Sequence, residues 1–512
     1  MSLGKAIFTI GGWTMLSRLI GLARETLMAD YLGAGMVSDA FFVAFRFPNM
    51  FRALFAEGAF NPAFVPIFAG KLESEGREAA KIFAEQAYAV LACIVLGFVI
   101  VMEIAMPWAI YGLAWGYDDV PGKIELAADL SRITFPYLLF ISLVSLQSGV
   151  LNALGRFAAA AGTPILLSIV SMALLVILAP ISPTVGHAAA WGVSASGVAQ
   201  FLWLLHSMRR AGVSLRIVRP ALTPEIKALL SRLLPGALGA GVYQVNLVVN
   251  TMIASSVANG AVSFLWYADR LNQLPLGVVG IAIGTALLPT LTRQLRAGDH
   301  AAAGHSQNRA MEFGLLLALP AAFALIVLGH PIVALLYEHG KFTATDTDQV
   351  VPALAAFAAG LPATILVRVL TPAFFARHDT RTPVRIALIA LAANIALNLL
   401  LMRPLQHVGM AAATSIAAWI NVGLLAWHLR RLGHFSLDSR LKSRAWRILL
   451  ACIAMSLALW GAQSLLAPLW LFSRLIAVAT LVAIGLAVYG GAVLLSGAMT
   501  TADFKSALRR KS

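Results

Sequence analysis

The chain has 512 residues, 60% of them hydrophobic and only 12% charged, and its mean hydropathy of +0.82 excludes an ordinary soluble globular protein. The formal net charge of +15 would suit a nucleic-acid partner, but the placement of the positive residues ties it to membrane orientation instead. Both cysteines, Cys93 and Cys452, sit inside apolar runs, which excludes a disulfide framework and a thiolate metal site.

Fourteen apolar helical runs are predicted, centred near Leu16, Leu54, Val95, Phe140, Ile169, Ala199, Val242, Val278, Ala322, Ile365, Ala392, Ile416, Leu457 and Ile484. Polar, Gly or Pro stretches separate them, among them 71–81, 117–123, 211–224, 298–308 and 338–349. No removable signal peptide is expected, because the first residues lack a short apolar core followed by a small-residue cleavage site.

In the first run Arg18, Gly21 and Glu25 share a face at i, i+3 and i+7, with Arg24 beside it. The second run, the stretch from Asp39 to Pro66, carries Asp39, Arg46, Arg52 and Glu57 among apolar residues. Asp39, Phe42, Arg46, Asn49 and Ala53 fall on one helical face. A charge near the centre of a lipid-facing helix costs about 2.5–3.5 kcal/mol or more, so this face is expected to look into a wet or protein-lined interior. Arg132, near the outer edge of the fourth run, reads as interfacial. The seventh run supplies Gln244, Asn246 and Asn250, and the eighth places Ser263, Trp266 and Arg270 at i, i+3 and i+7, with Asp269 adjacent.

The excess of arginine over lysine inside the spans points to an anionic ligand. A guanidinium fork matches phosphate or carboxylate in two-point contact and stays charged in any environment. Plainer readings stand beside this one. Arg18 with Glu25, or Asp269 with an arginine on a neighbouring helix, also fit structural ion pairs, and Arg24 and Arg52 also fit side chains snorkelling to an interface. Pro48, Pro62, Pro66, Pro275 and Pro289 fit simple helix kinks, which also make room for a cavity.

With the N-terminus in the cytoplasm, 27 positive residues fall in cytoplasmic segments and only Lys123, Lys341, Arg403 and Arg474 on the opposite side. The remaining seven lie within or at the edges of spans. That asymmetry predicts an even number of spans and both termini in the cytoplasm, with a basic tail at Lys505, Arg509, Arg510 and Lys511.

A weak internal repeat runs through the chain. Ala44–Asn49 is echoed by Ala268–Gln273, Gly35–Ser38 by Gly260–Ser263, and Asn152–Pro164 resembles Phe375–Pro383, at offsets near 220–225. The expected fold is therefore an all-α integral membrane protein with a central cavity. Its expected parts are a six-helix half over 1–220, a second over 221–435, and two additional helices with the basic tail over 436–512. Substrate sites in such transporters commonly lie between the halves.

Chemistry motifs are absent. Gly116 to Lys123 has the wrong spacing for a P-loop and carries Ile124 in place of Ser/Thr, so no nucleotide site is expected. Gly192–Ser196 lacks the second glycine of a nucleophile elbow, and the histidines show no metal-ligand spacing. The outer loops are too short to hold a glycosyltransferase site, and Asp118, Asp119 and Glu338 read as solvated loop charges. Neither cofactor, metal nor catalytic residue is expected.

Arg18-Leu-Ile-Gly21-Leu-Ala-Arg24-Glu25, the Asp39–Pro66 stretch and Tyr267-Ala-Asp-Arg-Leu-Asn-Gln-Leu-Pro-Leu-Gly277 together resemble the MurJ/MviN family of lipid II flippases. This family belongs to the multidrug/oligosaccharidyl-lipid/polysaccharide exporter superfamily, and the resemblance covers essentially the whole chain. It implies translocation of undecaprenyl-pyrophosphate-linked muropeptide from the cytoplasmic to the periplasmic leaflet of a bacterial inner membrane by alternating access. The partners it implies are lipid II, membrane lipids and the cell-wall synthesis machinery, with neither nucleic acid nor nucleotide. It implies required roles for Arg18, Arg24, Arg52, Arg270 and Asp39. The substrate-binding set is completed here by Glu25, Arg46, Ser263 and Asp269. Some relatives carry an acidic residue where Gln273 stands. Some relatives also carry carboxylates on the seventh and eleventh helices that could hold a cation; the matching positions here are Asn250, Asn394 and Asn398, with Thr414 on the twelfth, which offer only neutral oxygens, so weak or absent sodium dependence is expected. The alternative is a related exporter of drugs or of another polyprenyl-linked glycan.

Overall fold

The computed structural model describes residues 3–52 and 60–499, with side chains described throughout these except at 3–11, 234–243, 278–286 and 471. The described residues are almost entirely helical, with no strand among them. Thirteen of the fourteen expected centres fall within helices. Leu54 lies outside the described residues, as do Ala53, Glu57 and the expected basic tail.

Packing divides the chain into two compact units. The first comprises Met1–Ser263 with His339–Phe342, the second Phe264–Glu338 with Thr343–Ser512. This boundary falls later than the sequence repeat alone places one, because the helix after residue 220 packs back onto the first unit.

The first unit contains α1 (Leu3–Leu32), α2 (Met36–Phe51), α3 (Asn61–Ser74), α4 (Arg77–Leu113), α5 (Lys123–Thr134), α6 (Tyr137–Ala153), α7 (Phe157–Leu178), α8 (Val185–Arg210) and α9 (Pro224–Ser255). Local sequence explains several of their ends. At α2, Ser38 Oγ accepts from Gly35 N at 2.7 Å, satisfying the backbone donor just ahead of the first turn. At α9, Thr223 caps the helix and Pro224 opens it, where a missing N–H costs nothing. The α5–α6 segment is 67% buried through its most apolar window and α4 only 28%, so α5–α6 is interior and α4 peripheral. Accordingly Val101, Ile104 and Trp108 of α4 are exposed, as lipid-facing side chains are. Phe60, Phe64 and Phe83 stack against one another at 5.3–5.5 Å in a core that also receives Ile226 and Leu229 of α9. The segment His339–Phe342 joins this unit by its backbone, with Lys341 N donating to Asp30 O at 2.8 Å.

The second unit contains α10 (Ala261–Arg296, from Phe264 onward), α11 (His300–Val327), α12 (Gly329–Leu336), α13 (Ala344–Phe375), α14 (Arg381–Arg431), α15 (Ser439–Leu465), α16 (Ala467–Phe472) and α17 (Arg474–Leu495). Its core lies among α10, α11, α13 and α14 around Leu361, Ile365, Val369, Leu370 and Leu425. The 51 residues of α14 would extend about 77 Å as one straight helix, well over twice a hydrocarbon core of about 30 Å. They do not form one rod. Gln406 adopts φ 48° and ψ −133°, two residues after Pro404, and breaks the helical path. Asn394 Nδ2 then lies 3.4 Å from Thr414 Oγ1, although 20 residues of continuous helix would separate them by about 30 Å. The element is a closed hairpin, and a Cβ on Gly409 would stand 2.4 Å from Leu401 O. The predicted eleventh and twelfth runs are its two arms. Among the described residues, nine segments are long and apolar enough to cross a membrane, with this hairpin counted once.

Candidate substrate-translocation site

The expected site residues fall into both units. Arg18, Arg24, Glu25, Asp39, Arg46, Arg52 and Ser263 belong to the first, Asp269 and Arg270 to the second.

Asp39 is the most enclosed of them. It lies in the first turn of α2 with no exposed surface, and its Oδ2 receives Lys123 Nζ at 2.7 Å and Gly260 N at 2.7 Å. Its Oδ1 receives Ser263 N at 2.9 Å and Ser263 Oγ at 2.6 Å. The carboxylate therefore closes the start of α10, where unpaired N–H groups and the helix dipole favour an anion. The repeat has a physical meaning here: Ser38 and Ser263, matched at offset 225, meet with their hydroxyl oxygens 2.9 Å apart. Lys123 is only 1% exposed. It is held by Asp39, by Asn259 Oδ1 at 2.8 Å, and by the Tyr117 ring, whose centroid is 4.1 Å from Nζ.

From the sequence alone Lys123 reads as a charge on the opposite side from the cytoplasm, with no partner indicated. One signal could have found it. Lys123 is the first residue of α5, where the helix dipole disfavours a cation, so its presence there calls for a carboxylate partner. Asn259 and Gly260 act through a turn that no helical periodicity announces.

The arginines of the first unit are held differently. Arg24 Nη2 lies 2.6 Å from Glu25 Oε1, and its guanidinium stands 5.9 Å from the Phe45 ring. Arg24 Nε is buried without a hydrogen-bond partner among the described residues, so the fork is only partly engaged. Arg46 Nη1 donates to Thr251 Oγ1 of α9 at 2.7 Å, and Arg52 Nε to Asn49 Oδ1 at 3.0 Å. Neither of these acceptors is charged. Arg18 is half-buried on α1, one turn and a half before Arg24. In the second unit Arg270 stacks on Trp266 with its guanidinium 4.1 Å from the ring, and Nη1 reaches Gln273 Oε1 at 3.5 Å. Gln273 in turn donates to Asp269. Arg132 is exposed, with Nε donating to Glu103 O at 3.3 Å.

Of the cation-site candidates, Asn394, Asn398 and Thr414 form one ladder inside the α14 hairpin, with Asn398 Nδ2 donating to Asn394 Oδ1 at 3.2 Å. Asn250 belongs to α9 in the first unit and donates to Asn246 Oδ1 at 2.6 Å. Among the described residues no group of three or more His, Cys, Asp or Glu side chains is placed to hold a metal ion.

A family model described as lipid II flippase MurJ matches residues 28–481. The chain belongs to the lipid II flippase MurJ family. A probable lipid II flippase MurJ of Rhizobium meliloti (strain 1021) is 45% identical over 498 residues, covering 96% of this chain and 93% of the relative. The lipid II flippase MurJ of Burkholderia cenocepacia is 38% identical over 441 residues, with 85% of each chain covered. A solved structure of lipid II flippase MurJ in an inward closed conformation superposes with a TM-score of 0.77 at 26% identity, covering 94% of this chain and 97% of that one. An inward-facing multidrug resistance MATE family transporter shares the fold, at a TM-score of 0.67 and 16% identity. MurJ proteins are transporters, which agrees with the absence of any catalytic motif in the sequence.

Proposed function

We propose that this chain flips lipid II from the cytoplasmic to the periplasmic leaflet of a bacterial inner membrane by alternating access, serving cell-wall synthesis. Both termini lie in the cytoplasm in this reading, which the 27-to-4 distribution of positive residues supports. A pyrophosphate-linked muropeptide has a head too polar to cross hydrocarbon and a tail that never needs to leave it. Arginines facing the head and an open side for the tail solve that problem without covalent chemistry.

The observation that carries this reading is the neutralisation of Asp39 by Lys123. With Asp39 removed from the count, Arg18, Arg24, Arg46, Arg52 and Arg270 outnumber Glu25, Glu57 and Asp269 by two. A pyrophosphate diester carries two negative charges, so the loaded site is close to neutral and the empty one carries two positive charges. With the cytoplasm electrically negative, return of the empty site inward is downhill by about 2.3 kcal/mol per charge per 100 mV. Arg18, Arg24, Arg52 and Arg270 grip the pyrophosphate in this account. Glu25 orients Arg24, Asp269 acts on Arg270 through Gln273, Arg46 adds a further cation for the head group, and Asp39 with Ser263 holds the start of α10. The Asn250, Asn394, Asn398 and Thr414 oxygens are all neutral, so sodium adds little.

The direct test is depletion in cells followed by measurement of lipid-linked precursors in each leaflet, where accumulation of lipid II on the cytoplasmic face is expected. In reconstituted vesicles, collapsing the potential while the pH gradient is kept should slow repeated turnover. A single round of flipping should change little. An unchanged multiple-turnover rate would overturn the charge account, and a saturable rise on adding sodium at constant ionic strength would overturn the sodium reading.

A further inference from the structure

Away from the candidate site, one end of the second unit holds an open crevice of about 500 Å³, within the range of small-ligand pockets. It is lined by His300, His305 and Asn308 of α11, by Arg377 just after α13, and by His434 and Asp438 along the connection from α14 to α15. These connections are among those that the arginine distribution assigns to the cytoplasm.

The walls are fixed by local structure. The chain leaves α14 through a Schellman turn, with Gly433 at φ 71° and His434 N donating to Leu429 O at 2.9 Å. Asn308 then clamps that connection to α11. Its Nδ2 donates to Ser436 O at 2.9 Å and its Oδ1 accepts from Asp438 N at 3.2 Å. Asp438 is spent within the protein, because it caps α15 through Leu441 N and is paired with Arg309. One fixed cation, Arg377, and three titratable imidazoles remain facing the crevice.

We propose that this crevice is a second ligand site, taking a phosphate-bearing group that is either a soluble polyphosphate or the head group of an anionic lipid. The positive potential there is visible in His434, whose pKa is held below the ordinary histidine value by burial and by the neighbouring Arg377 and His300. His305 acts on the same space, and of the nearby carboxylates Asp438 is already neutralised by Arg309. A bound phosphate reverses that field, raises the His434 pKa and draws in a proton, so affinity rises as pH falls. A divalent metal is the weaker fit, since no three of the described His, Cys, Asp or Glu side chains converge within ligating reach.

The test uses the full-length protein in nanodiscs, with inorganic pyrophosphate as the probe followed by calorimetry. Saturable binding is expected that tightens severalfold from pH 7.5 to 6.0. It should weaken at least tenfold in Arg377→Gln and lose most of its pH dependence in His434→Gln. Neither residue belongs to the pyrophosphate-gripping arginines proposed above, so binding at that site is unaffected by these changes. Nanodiscs of phosphatidylcholine alone and with phosphatidylglycerol separate the two sources. Equal pyrophosphate binding in both identifies a soluble ligand. Competition in the phosphatidylglycerol discs, with anionic lipid retained in native mass spectra and lost in Arg377→Gln, identifies a lipid. If Arg377→Gln unfolds early, the ring resonances of His434 are followed in the unmodified protein during the titration. Failure of His434 to shift, or binding indifferent to the substitutions, overturns the proposal.

Discussion

Two carboxylates in this protein are each shared by several donors, yet their surroundings differ. Asp39, in the first unit, is held by one lysine, two backbone N–H groups and a hydroxyl, with no exposed surface. Glu312, in the second unit, is held by Arg309, Arg440 and Arg444, and the Arg440 side chain is 43% exposed. The first carboxylate sits in a dry site where each partner has one role. The second has redundant cations, of which Arg440 can turn to water and Arg309 has Asp438 as a second partner. The same chemistry thus makes a brittle joint at one place and a tolerant one at the other.

The sharpest way to break the contrast is Lys123→Ala, which leaves Asp39 charged and buried without its cation. A loss of about 3–5 kcal/mol is expected, read as an early thermal transition in detergent and poor membrane abundance. The paired change Asp39→Asn with Lys123→Met removes both charges and should recover much of the stability but not growth complementation. Equal damage from the single and paired changes would show that the ion pair is not what the site depends on.

Next come the partly engaged arginines. Arg24→Ala and Arg52→Ala should abolish or sharply reduce complementation, with Arg52→Ala near normal abundance because its Asn49 partner is an uncharged amide, and with Arg24→Ala losing some abundance because it takes a guanidinium from Glu25, which is only 4% exposed. Lysine should rescue poorly where two-point contact is needed. Complementation and abundance measured on the same variants decide the matter, and full activity of either alanine variant removes that residue from the site.

Ser263→Ala takes one hydroxyl from Asp39 and leaves the other three donors in place. About 1 kcal/mol is expected, measurable as a small downward shift of the same transition. Smallest of all should be Glu312→Gln, within about 1 kcal/mol and shrinking further in high salt, since the amide still accepts from the arginines, Arg309 keeps Asp438 as a partner and Arg440 is 43% exposed. The neighbouring Asp438 adds a pH signature. Burial opposes its charge, but the Leu441 N–H and Arg309 outweigh that and hold its pKa below the usual carboxylate value. Its contribution is therefore complete above the unfolded carboxylate pKa of about 3.9 and is lost as pH falls through the lower folded value. A transition temperature that rose on acidification through that window would contradict the assignment.

Sequence alone carried the fold a long way, because apolar runs and arginine placement are one-dimensional signals that the bilayer enforces. It also singled out Asp39 and the arginines as candidates, since a charge inside an apolar helix is conspicuous. It missed Lys123, Thr251 and Asn259 for the opposite reason: a lysine beside a loop, a threonine in a span and an asparagine in a turn are unremarkable until another helix brings a charge to them. Likewise the Gly35–Ser38 and Gly260–Ser263 echo was legible as a repeat, but that its two serines touch was not. A break between the eleventh and twelfth runs was legible from their separate centres at Ala392 and Ile416, but its place at Gln406 was not, because closure of the hairpin depends on Gly409 meeting Leu401 across the turn.

That hairpin constrains how the protein is made. Its arms are joined by a single non-helical residue, and Gly409 already crosses Leu401 three residues beyond it. So short a join in the folded chain favours entry of the two arms into the membrane together, as one helical hairpin. A side chain at position 409 would therefore injure biogenesis before it injured transport, and its signature would be a chain truncated by proteases rather than a slow flippase.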